Sequence, residues 1–351
     1  MVISNVVIKN FRGIEEKEIE FKPGFNLVKG INGKGKTSIL EAAAIGLGGF
    51  ITGVGYETRH FMEDDVRREF KKTGKGSYDI IHHTPISVAI TAKIGQKEYY
   101  WERKRKNHQV SRTTTQPKEI IRLAETKRNT DNQELPVLIY MSTGRIWTKK
   151  KDRVRKSDGE KYYRPSGYLD ALINEANNKF LLDWCIRMEQ ISWQNDEEIT
   201  EYEAAKNTVA KFISYMNDGK VCKVFYDKRQ DEMMYSCEDG IYAISDLSAG
   251  YQSIIWMAFD IAVRMAILNP DKLEHIAETS GVVLIDEIDM HLHPKWQWNV
   301  IGALRTIFPN VQFIAATHSP ILFASAKDVW LIDMDEDEIK SENVRKSTRK
   351  V

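Results

Sequence analysis

The stretch that decides the fold covers residues 30–37 and reads G-I-N-G-K-G-K-T. An apolar run at residues 25–28 precedes it and predicts a strand, and residues 38–44 follow it with the composition of a helix. In such a context the backbone N–H groups of the loop and the dipole of the helix bind phosphate. An ordinary glycine-rich turn would share the letters but would not need the flanking strand and helix. We therefore predict a phosphate-binding loop.

The residues of this loop have separate predicted roles. The Lys36 ammonium would neutralise phosphate charge during catalysis, and the Thr37 hydroxyl would hold Mg²⁺. Glycines are needed where the backbone takes a positive φ or where a side chain would block the phosphate. The residues predicted to bind the nucleotide here are Gly30, Asn32, Gly33, Gly35, Lys36, Thr37 and Ser38.

Composition sets broad limits on the chain. It has 351 residues, 42% of them hydrophobic and 29% charged, with a net charge of +1. This is enough for one large core and a side lobe, so we expect one or two domains, and overall charge indicates no particular partner. The three cysteines (Cys185, Cys222 and Cys237) are widely spaced, which predicts no metal site and no disulfide framework. Reduced thiols in a cytoplasmic protein are the expectation.

No membrane segment is expected. Residues 2–12 alternate like a strand and lack the long apolar stretch of a signal peptide. The most apolar later segment, residues 254–268, is interrupted by Asp260 and Arg264 and is too short to cross a bilayer. It predicts a buried helix.

A second motif lies at residues 281–294, which read G-V-V-L-I-D-E-I-D-M-H-L-H-P. Residues 282–285 predict a strand buried on both faces. Asp286 and Glu287 follow at its carboxyl end, where open α/β sheets bind their ligands. Asp286 would hold Mg²⁺, and Glu287 would polarise the attacking water as a general base. Taken alone, two acids after an apolar strand could equally begin a loop.

A third motif, D-L-S-A-G-Y-Q-S at residues 246–253, predicts the start of a helix. Ser248 suits an N-cap position, and Gly250 would let the helix start approach a ligand closely. The alternative is an ordinary capped helix. With the phosphate loop, this motif gives the chain two helix starts suited to anions.

At these motifs the chain resembles a family. L-S-A-G-Y-Q is similar to the signature motif of ABC-type ATPases, the group that contains SMC and RecF proteins, and residues 30–37 resemble their phosphate loop. I-D-E-I-D-M-H-L-H-P (285–294) and A-A-T-H-S-P (315–320) resemble more closely a bacterial branch of compact AAA-type ATPases. That branch includes the ATPase subunits of Septu antiphage systems and of some retrons. The resemblance covers about the first 50 residues and roughly residues 220–335, and P-V-L-I-Y-M-S-T-G-R (136–145) extends it weakly.

The resemblance implies a site shared by two protomers. Ser248 and Gly250 would contact the γ-phosphate of ATP bound to another protomer, and residues 291–294 would form the loop that lies across the dimer seam. His318 would be the switch histidine that senses the γ-phosphate, and Arg12, in N-F-R-G, would also contact the nucleotide. The glutamine that this family carries between the two halves of the site is not placed, since Gln109, Gln116 and Gln133 lie in unclear context.

The predicted fold class is α/β. We expect an ABC-type P-loop ATPase core, with a mixed N-terminal β-layer and a mainly parallel sheet with flanking helices, and a helical lateral insertion. The predicted parts are residues 1–147 (N-terminal core), 148–218 (insertion with a basic loop) and 219–351 (C-terminal core). The pattern further predicts loops at residues 48–55 and 56–84 and a hairpin near Gly95. The insertion is too short for a long coiled-coil arm.

The resemblance implies an ATPase that closes head to tail around two ATP–Mg²⁺ and reopens on hydrolysis. It would act as the sensor subunit of a bacterial antiphage defence system. The chain ends about thirty residues past His318, too few for a nuclease domain, so a nuclease or other effector is expected on another polypeptide. A RecF-like DNA-repair ATPase and an ATP-binding scaffold with little turnover remain alternatives.

Three basic clusters are candidate nucleic-acid contacts, to DNA or RNA. Phosphate contacts of this kind would be salt-sensitive and independent of sequence, whereas the alternative is a solvated loop or tail. The clusters are Arg103, Lys104, Arg105 and Lys106; Lys149, Lys150, Lys151, Arg153, Arg155 and Lys156, with Tyr162, Tyr163 and Arg164 nearby; and Arg345, Lys346, Arg349 and Lys350.

Overall fold

A computed structural model describes residues 1–31, 33–74, 77–109, 112–146, 164–173, 178–238, 240–335 and 340–344. The strands are β1 (Val2–Phe11), β2 (Ile14–Glu20), β3 (Phe25–Lys29), β4 (Arg68–Gly74), β5 (Ser77–His82), β6 (Ile86–Ile94), β7 (Lys97–Arg105), β8 (Thr114–Gln116), β9 (Val137–Met141), β10 (Lys223–Asp227), β11 (Glu232–Cys237), β12 (Gly240–Ala243), β13 (Gly281–Ile285), β14 (Val311–Thr317), β15 (Val329–Asp333) and β16 (Lys340–Val344). The helices are α1 (Lys36–Val54), α2 (Glu119–Asn129), α3 (Asn178–Asn195), α4 (Thr200–Met216), α5 (Ala249–Leu268), α6 (Pro294–Ile307) and α7 (Pro320–Ser325).

Two β-sheets enclose the helix α1. The N-terminal sheet is antiparallel, in the order β2-β1-β6-β7-β8, and the second sheet has the order β16-β15-β3-β14-β13-β9. In the second sheet all neighbours are parallel except β15 and β16. Helix α1 packs against strands of both sheets, and most of its side chains are buried. The predicted α/β core with a mainly parallel sheet and flanking helices is confirmed, whereas the N-terminal layer is antiparallel rather than mixed.

Helix α1 is longer than the sequence predicts. It runs to Val54, through the glycines that we read as the start of a loop. Neighbouring groups lie against these glycines: a Cβ on Gly48 would lie 2.1 Å from Thr58 Oγ1, and one on Gly53 would lie 2.3 Å from the Ile121 carbonyl oxygen. The glycines therefore allow close packing inside the helix rather than ending it.

Residues 56–84 are also more ordered than predicted. They contain β4 and β5, which pair as an antiparallel ribbon in place of a loop. The hairpin predicted near Gly95 is confirmed by β6 and β7. The ribbon was missed because its strands carry no buried apolar face, the signal on which strand prediction rests.

A layer of helices covers the other face of the parallel sheet. Helix α5 packs on β9, and α4 packs on both α5 and α6. The described part of the predicted insertion, residues 148–218, contains α3 and α4 and a turn at residues 164–173. Residues 169–173 lie in that turn, although the insertion is predicted to be helical. The three-part domain division stays a prediction.

Two of the four cations in the first basic cluster are not surface residues. Arg103 and Arg105 are 1% and 4% exposed, because strand alternation places them on the same face of β7 as the buried Trp101. Arg103 donates to the carbonyl oxygens of Ile45 (2.6 Å) and Arg59 (2.9 Å), and burial lowers its pKa to about 10. It remains charged at neutral pH and fixes a loop to the sheet. The clusters at 149–156 and 345–350 lie outside the described residues, as do Tyr162 and Tyr163.

The cysteines correct another expectation. Cys222 and Cys237 are joined as a disulfide, whereas Cys185 is a buried free thiol. Antiparallel pairing of β10 with β11 sets Lys223 opposite Ser236, which brings the flanking cysteines together. Sequence spacing could not show this, because the pairing depends on the register of the hairpin.

Within the described part of the chain, two helices, α1 and α5, are long and apolar enough to cross a membrane by length and composition. However, 83% and 78% of their most apolar windows are buried inside the protein. Both are therefore explained as core helices.

Candidate nucleotide site

The carboxyl ends of four parallel strands meet at one edge of the sheet. β3 leads into Gly30, β14 into His318, β13 into Asp286 and β9 into Ser142. Open α/β sheets bind ligands at this edge. The topology thus brings together the phosphate loop, the motif that contains Asp286 and the motif that contains His318, which are far apart in the sequence.

The phosphate loop has the backbone that its glycines predict. Gly33 and Gly35 both have φ of +87°, and Gly35 is the N-cap of α1. The buried Lys36 ammonium donates to the Gly30 carbonyl oxygen and to that of Ile31 (3.1 Å). On the other side, the Ile31 N–H donates to the carboxylate of Asp335 at 2.6 Å. Ser38 lies in the first turn of α1, and Asn32 lies outside the described residues.

Thr37 and Asp286 are in direct contact. The Thr37 hydroxyl donates to Asp286 Oδ2 at 2.8 Å, and Asp286 is held in place by its own N–H, which donates to the Met141 carbonyl oxygen at 2.8 Å. A hydroxyl and a buried carboxylate are oxygen ligands of the kind that Mg²⁺ takes alongside nucleotide phosphates. The described residues contain no cluster of three or more His, Cys, Asp or Glu side chains for a metal. The residues present therefore fit a shared Mg²⁺–nucleotide site better than an all-protein metal site.

Glu287 stands on a strained turn. Its φ is +44°, a conformation that L-residues rarely adopt, and His291 four residues later has a φ of +62°. The turn is held by the Ile288 N–H, which donates to the Ala316 carbonyl oxygen at 3.0 Å. Outliers of this kind cluster at functional sites, where the surrounding structure maintains them.

Asp289 is a site residue that sequence reasoning missed. It is buried, it accepts a hydrogen bond from the Thr317 hydroxyl, and its Oδ2 lies 3.7 Å from His318 Nε2. The His318 side chain is 51% exposed, so it faces outward while Asp289 contacts it from the protein side. The spacing D-E-I-D at residues 286–289 could have suggested Asp289. However, the neighbouring residues in the sequence do not indicate that its carboxylate contacts Thr317 at the end of β14.

The signature motif begins α5, as predicted. Ser248 is the N-cap residue, but its hydroxyl makes no capping hydrogen bond, and the residue is exposed. Gln252 instead holds the preceding turn, because its Nε2 donates to the carbonyl oxygens of Ser245 (2.8 Å) and Leu247 (2.7 Å). Ser248 is thereby presented at the surface.

Gly250 has a role inside the protomer that the sequence did not indicate. It is buried, and a Cβ there would lie 2.4 Å from the carbonyl oxygen of His291. The backbone of α5 thus packs directly on the turn that follows Glu287.

Replacing Gly250 with alanine is expected to lower the free energy of unfolding by about 1–3 kcal/mol, because the clash is with backbone that cannot rotate away. Chemical denaturation measures this. Gly13→Ala is the matched control, since a Cβ there would meet nothing within 4 Å, and it should change stability by less than about 0.5 kcal/mol. Equal stability of both variants would contradict the tight contact.

Arg12 lies in an ion cluster. It contacts the carboxylate of Glu41 and that of Asp65 (3.1 Å), and Arg59 contacts the same two acids at 2.9 and 3.5 Å. Glu41 and Asp65 are 6% and 2% exposed. Glu41 lies one helical turn after Thr37, so the cluster borders the site. Its contact with nucleotide stays a prediction.

Tyr140 borders the same region from β9. It pairs with Leu284 across the parallel sheet, which places it on the face of the sheet that Asp286 shares. Its hydroxyl is buried with no hydrogen-bond partner in the described part of the chain. Burial raises the pKa of this hydroxyl, and the carboxylates of Glu41 and Asp286 raise it further.

The carboxyl end of β9 carries Ser142 rather than a glutamine. Of the candidates, Gln116 ends β8, Gln109 follows β7 and Gln133 precedes β9. None of these three residues directly follows β9 in the sequence.

Comparison with known proteins decides the family. A model described as "AAA domain" matches residues 5–215, and a second AAA domain model, whose description names the AbiEii toxin and a type IV TA system, matches residues 244–324. The chain belongs to the AAA domain family. The first match alone covers more than half of the AAA protein, and the second contains the signature, Asp286 and His318.

Curated relatives carry the names that the motifs suggested. "Retron Ec83 probable ATPase" of Escherichia coli is 23% identical over 94% of this chain and 71% of its own length. "Septu protein PtuA" of Bacillus thuringiensis is 25% identical over 96% of this chain and 77% of its own length. The resemblance to an SMC- and RecF-like ATPase related to antiphage systems is confirmed.

A solved structure confirms the fold. The SMC head bound to the C-winged helix domain of ScpA superposes with a TM-score of 0.58, 17% identity and 98% coverage of both chains. At this identity the comparison shows an SMC head-like ABC ATPase fold, and nothing about partners of this AAA protein.

Proposed function

We propose that this protein binds ATP with Mg²⁺ and hydrolyses it to ADP and phosphate. The observation that carries the proposal is the contact between Thr37 and Asp286 at the end of the phosphate loop, with Glu287 next in the chain. Thr37 and Asp286 would hold Mg²⁺, which supplies charge stabilisation to the phosphates when bound. Lys36 would exchange its loop carbonyl contacts for phosphate oxygens, and Glu287 would accept the proton of the attacking water.

The proposed site is completed by a second copy. Ser248 is exposed and its hydroxyl is not used as a cap, so it is available to a γ-phosphate on another protomer in a head-to-tail dimer. His318, exposed and contacted by Asp289, follows β14 beside the phosphate loop of its own chain and would sense the γ-phosphate of the ATP bound there. Hydrolysis would then reopen the dimer.

The proposed biological role is that of the sensor and regulatory ATPase of a cytoplasmic antiphage defence system. The relatives named for retron Ec83 and Septu support this role. A nuclease or another effector in trans would carry out the response. Nucleic-acid contact through the loop at 149–156 also stays a proposal, on residues outside those described.

ATP turnover by the purified protein is the direct test of the enzymatic proposal. Phosphate release should exceed that of a Lys36→Ala control when Mg²⁺ and nucleic acid are supplied, together with the product of any effector gene found beside its own. Nucleotide binding without turnover above this control would reject the enzyme and favour the ATP-binding scaffold. Phage-protection and DNA-damage phenotypes of a deletion strain would separate the defence role from RecF-like repair.

A further inference from the structure

The ribbon formed by β4 and β5 is a separate feature of the surface. Among the described strands these two pair only with each other. Its base is attached to the N-terminal sheet: the Arg67 N–H donates to the Asn10 carbonyl oxygen at 2.9 Å, and Val66 forms a bridge with Phe11. Isolated two-stranded ribbons are only marginally stable in water, so a partner for this one is a reasonable physical expectation.

The two faces of the ribbon differ in charge. Register places Arg68 opposite His82, Phe70 opposite Ile80 and Lys72 opposite Tyr78, and these six residues form what we define as the basic-aromatic face. The opposite face contains two acids, because Glu69 is paired with Ile81 and Lys71 with Asp79. Lys72 and Arg68 therefore lie on the face that carries no acid in the ladder, although the Arg68 guanidinium also lies 3.9 Å from the exposed carboxylate of Asp64.

The apolar side chains of the basic-aromatic face are open to solvent. Phe70, Tyr78 and Ile80 are 61%, 59% and 50% exposed. Exposed aromatic rings between cations are unusual on an ordinary solvated ribbon, which would carry polar side chains on both faces.

The base of the ribbon holds this face in position. The His82 ring stacks on that of His108, with centroids 4.3 Å apart, and His83 Nε2 lies 2.9 Å from Glu69 on the other face. The buried Arg105 guanidinium in turn donates to the His108 carbonyl oxygen and to that of Phe61 (2.9 Å). The ribbon is thus connected to a fixed part of the sheet.

We propose that the basic-aromatic face binds single-stranded nucleic acid. Bases would stack on the rings of Phe70 and Tyr78, and Arg68 and Lys72 would contact the phosphates beside them. Flat rings flanked by cations match a chain that alternates flat bases with anionic phosphates. A duplex hides its base faces, and an acidic peptide lacks the regular alternation of flat rings with anions, so both fit this face less well.

This site does not depend on ATP hydrolysis. Binding can be measured with the Lys36→Ala variant as well as with the wild-type protein, so failure of the ATPase proposal and failure of this one are distinguishable. The site also differs from the basic loop at 149–156, which lies outside the described residues.

The test is fluorescence anisotropy with labelled single-stranded 30-mers of DNA and RNA, and with a duplex of the same length. The wild-type protein should bind at least one single strand more tightly than the duplex. Phe70→Ala and Tyr78→Ala should each weaken binding about ten-fold, since stacking on one aromatic ring commonly contributes that much. Lys72→Ala should weaken it and reduce the slope of log affinity against log salt by about 0.7.

Lys71→Ala is the matched control, because it removes the same charge from the opposite face of the same strand. It should change affinity less than about two-fold. Equal losses in Lys71→Ala and Lys72→Ala, tighter binding to the duplex, or no binding to either single strand at low salt would overturn the proposal. A change of oligomeric state in Phe70→Ala, seen by sedimentation, with nucleic-acid affinity unaltered would show instead that this face joins two copies of the chain.

Discussion

Replacing Glu287 with glutamine is expected to lower ATP turnover by about two to four orders of magnitude while ATP binding persists. A general base commonly contributes that much, and glutamine keeps the shape of the side chain but cannot accept the proton. Glu287 directly follows Asp286, which accepts a hydrogen bond from the Thr37 hydroxyl, and it stands on a turn with a positive φ. Single-turnover phosphate release measures the chemical step, and fluorescent ATP analogues measure binding.

The same variant tests the composite site. If hydrolysis reopens the dimer, Glu287→Gln should accumulate an ATP-dependent closed pair on a sizing column. Ser248→Arg should abolish that pair, because the bulky cation replaces an exposed residue that we place at the seam. If neither variant changes the elution in ATP, the head-to-tail model is wrong, whatever the turnover of Glu287→Gln.

The nucleotide motifs could be read from the sequence because their chemistry is local. Positive φ at Gly33 and Gly35 follows from the loop they form, and the buried strand before Asp286 is a continuous apolar run. The convergence of β3, β13 and β14 needed only the rule that parallel strands present their carboxyl ends together. Roles of individual residues toward nucleotide stay predictions.

What the sequence could not show depends on contacts between distant segments. Gly48 and Gly53 are residues typical of loops, but both lie inside α1. Glycine is needed at these positions because Thr58 and Ile121 pack closely against the helix. The sequence around Arg103 predicts a surface cation. The alternation of side chains along β7 instead buries Arg103 beside α1. The contact of Gly250 with the His291 backbone is likewise absent from the local pattern, which predicts only a close approach to ligand.

The Arg12 cluster is the clearest case, and it leads to the largest expected effect on stability. Replacing Glu41 with glutamine should lower the free energy of unfolding by about 3–5 kcal/mol, since it leaves two guanidinium groups beside a neutral side chain in a buried setting. Asp65 would remain as their partner, so the protein should still fold. Urea denaturation monitored by tryptophan fluorescence measures the difference.

An exposed pair provides the control for this effect. Lys97 and Glu119 lie 2.6 Å apart with side chains 63% and 55% exposed, and Glu119→Gln should cost less than about 1 kcal/mol. Similar losses for Glu41→Gln and Glu119→Gln would show that burial does not strengthen the cluster. A double-mutant cycle of Glu41→Gln with Arg59→Gln should give a coupling of about 0.5–3 kcal/mol, because the two side chains touch.

Arg12 has two candidate roles, one in the structure of this ion cluster and one in nucleotide binding, and variants of the cluster can distinguish them. Its contacts with Glu41 and Asp65 account for its position without nucleotide, while the family resemblance assigns it to the nucleotide. If Arg12 is purely structural, Arg12→Ala should destabilise the protein but leave the ATP affinity of the folded fraction unchanged. If Arg12 also contacts phosphate, ATP affinity should fall in Arg12→Ala but stay unchanged in Arg59→Gln. Arg59→Gln is the control because the Arg59 side chain, which is 12% exposed, contacts the same two acids. If ATP affinity falls in both Arg12→Ala and Arg59→Gln, the effect comes from the displaced carboxylates and not from a contact of Arg12 with phosphate. Glu41 would then transmit it to Thr37 through α1.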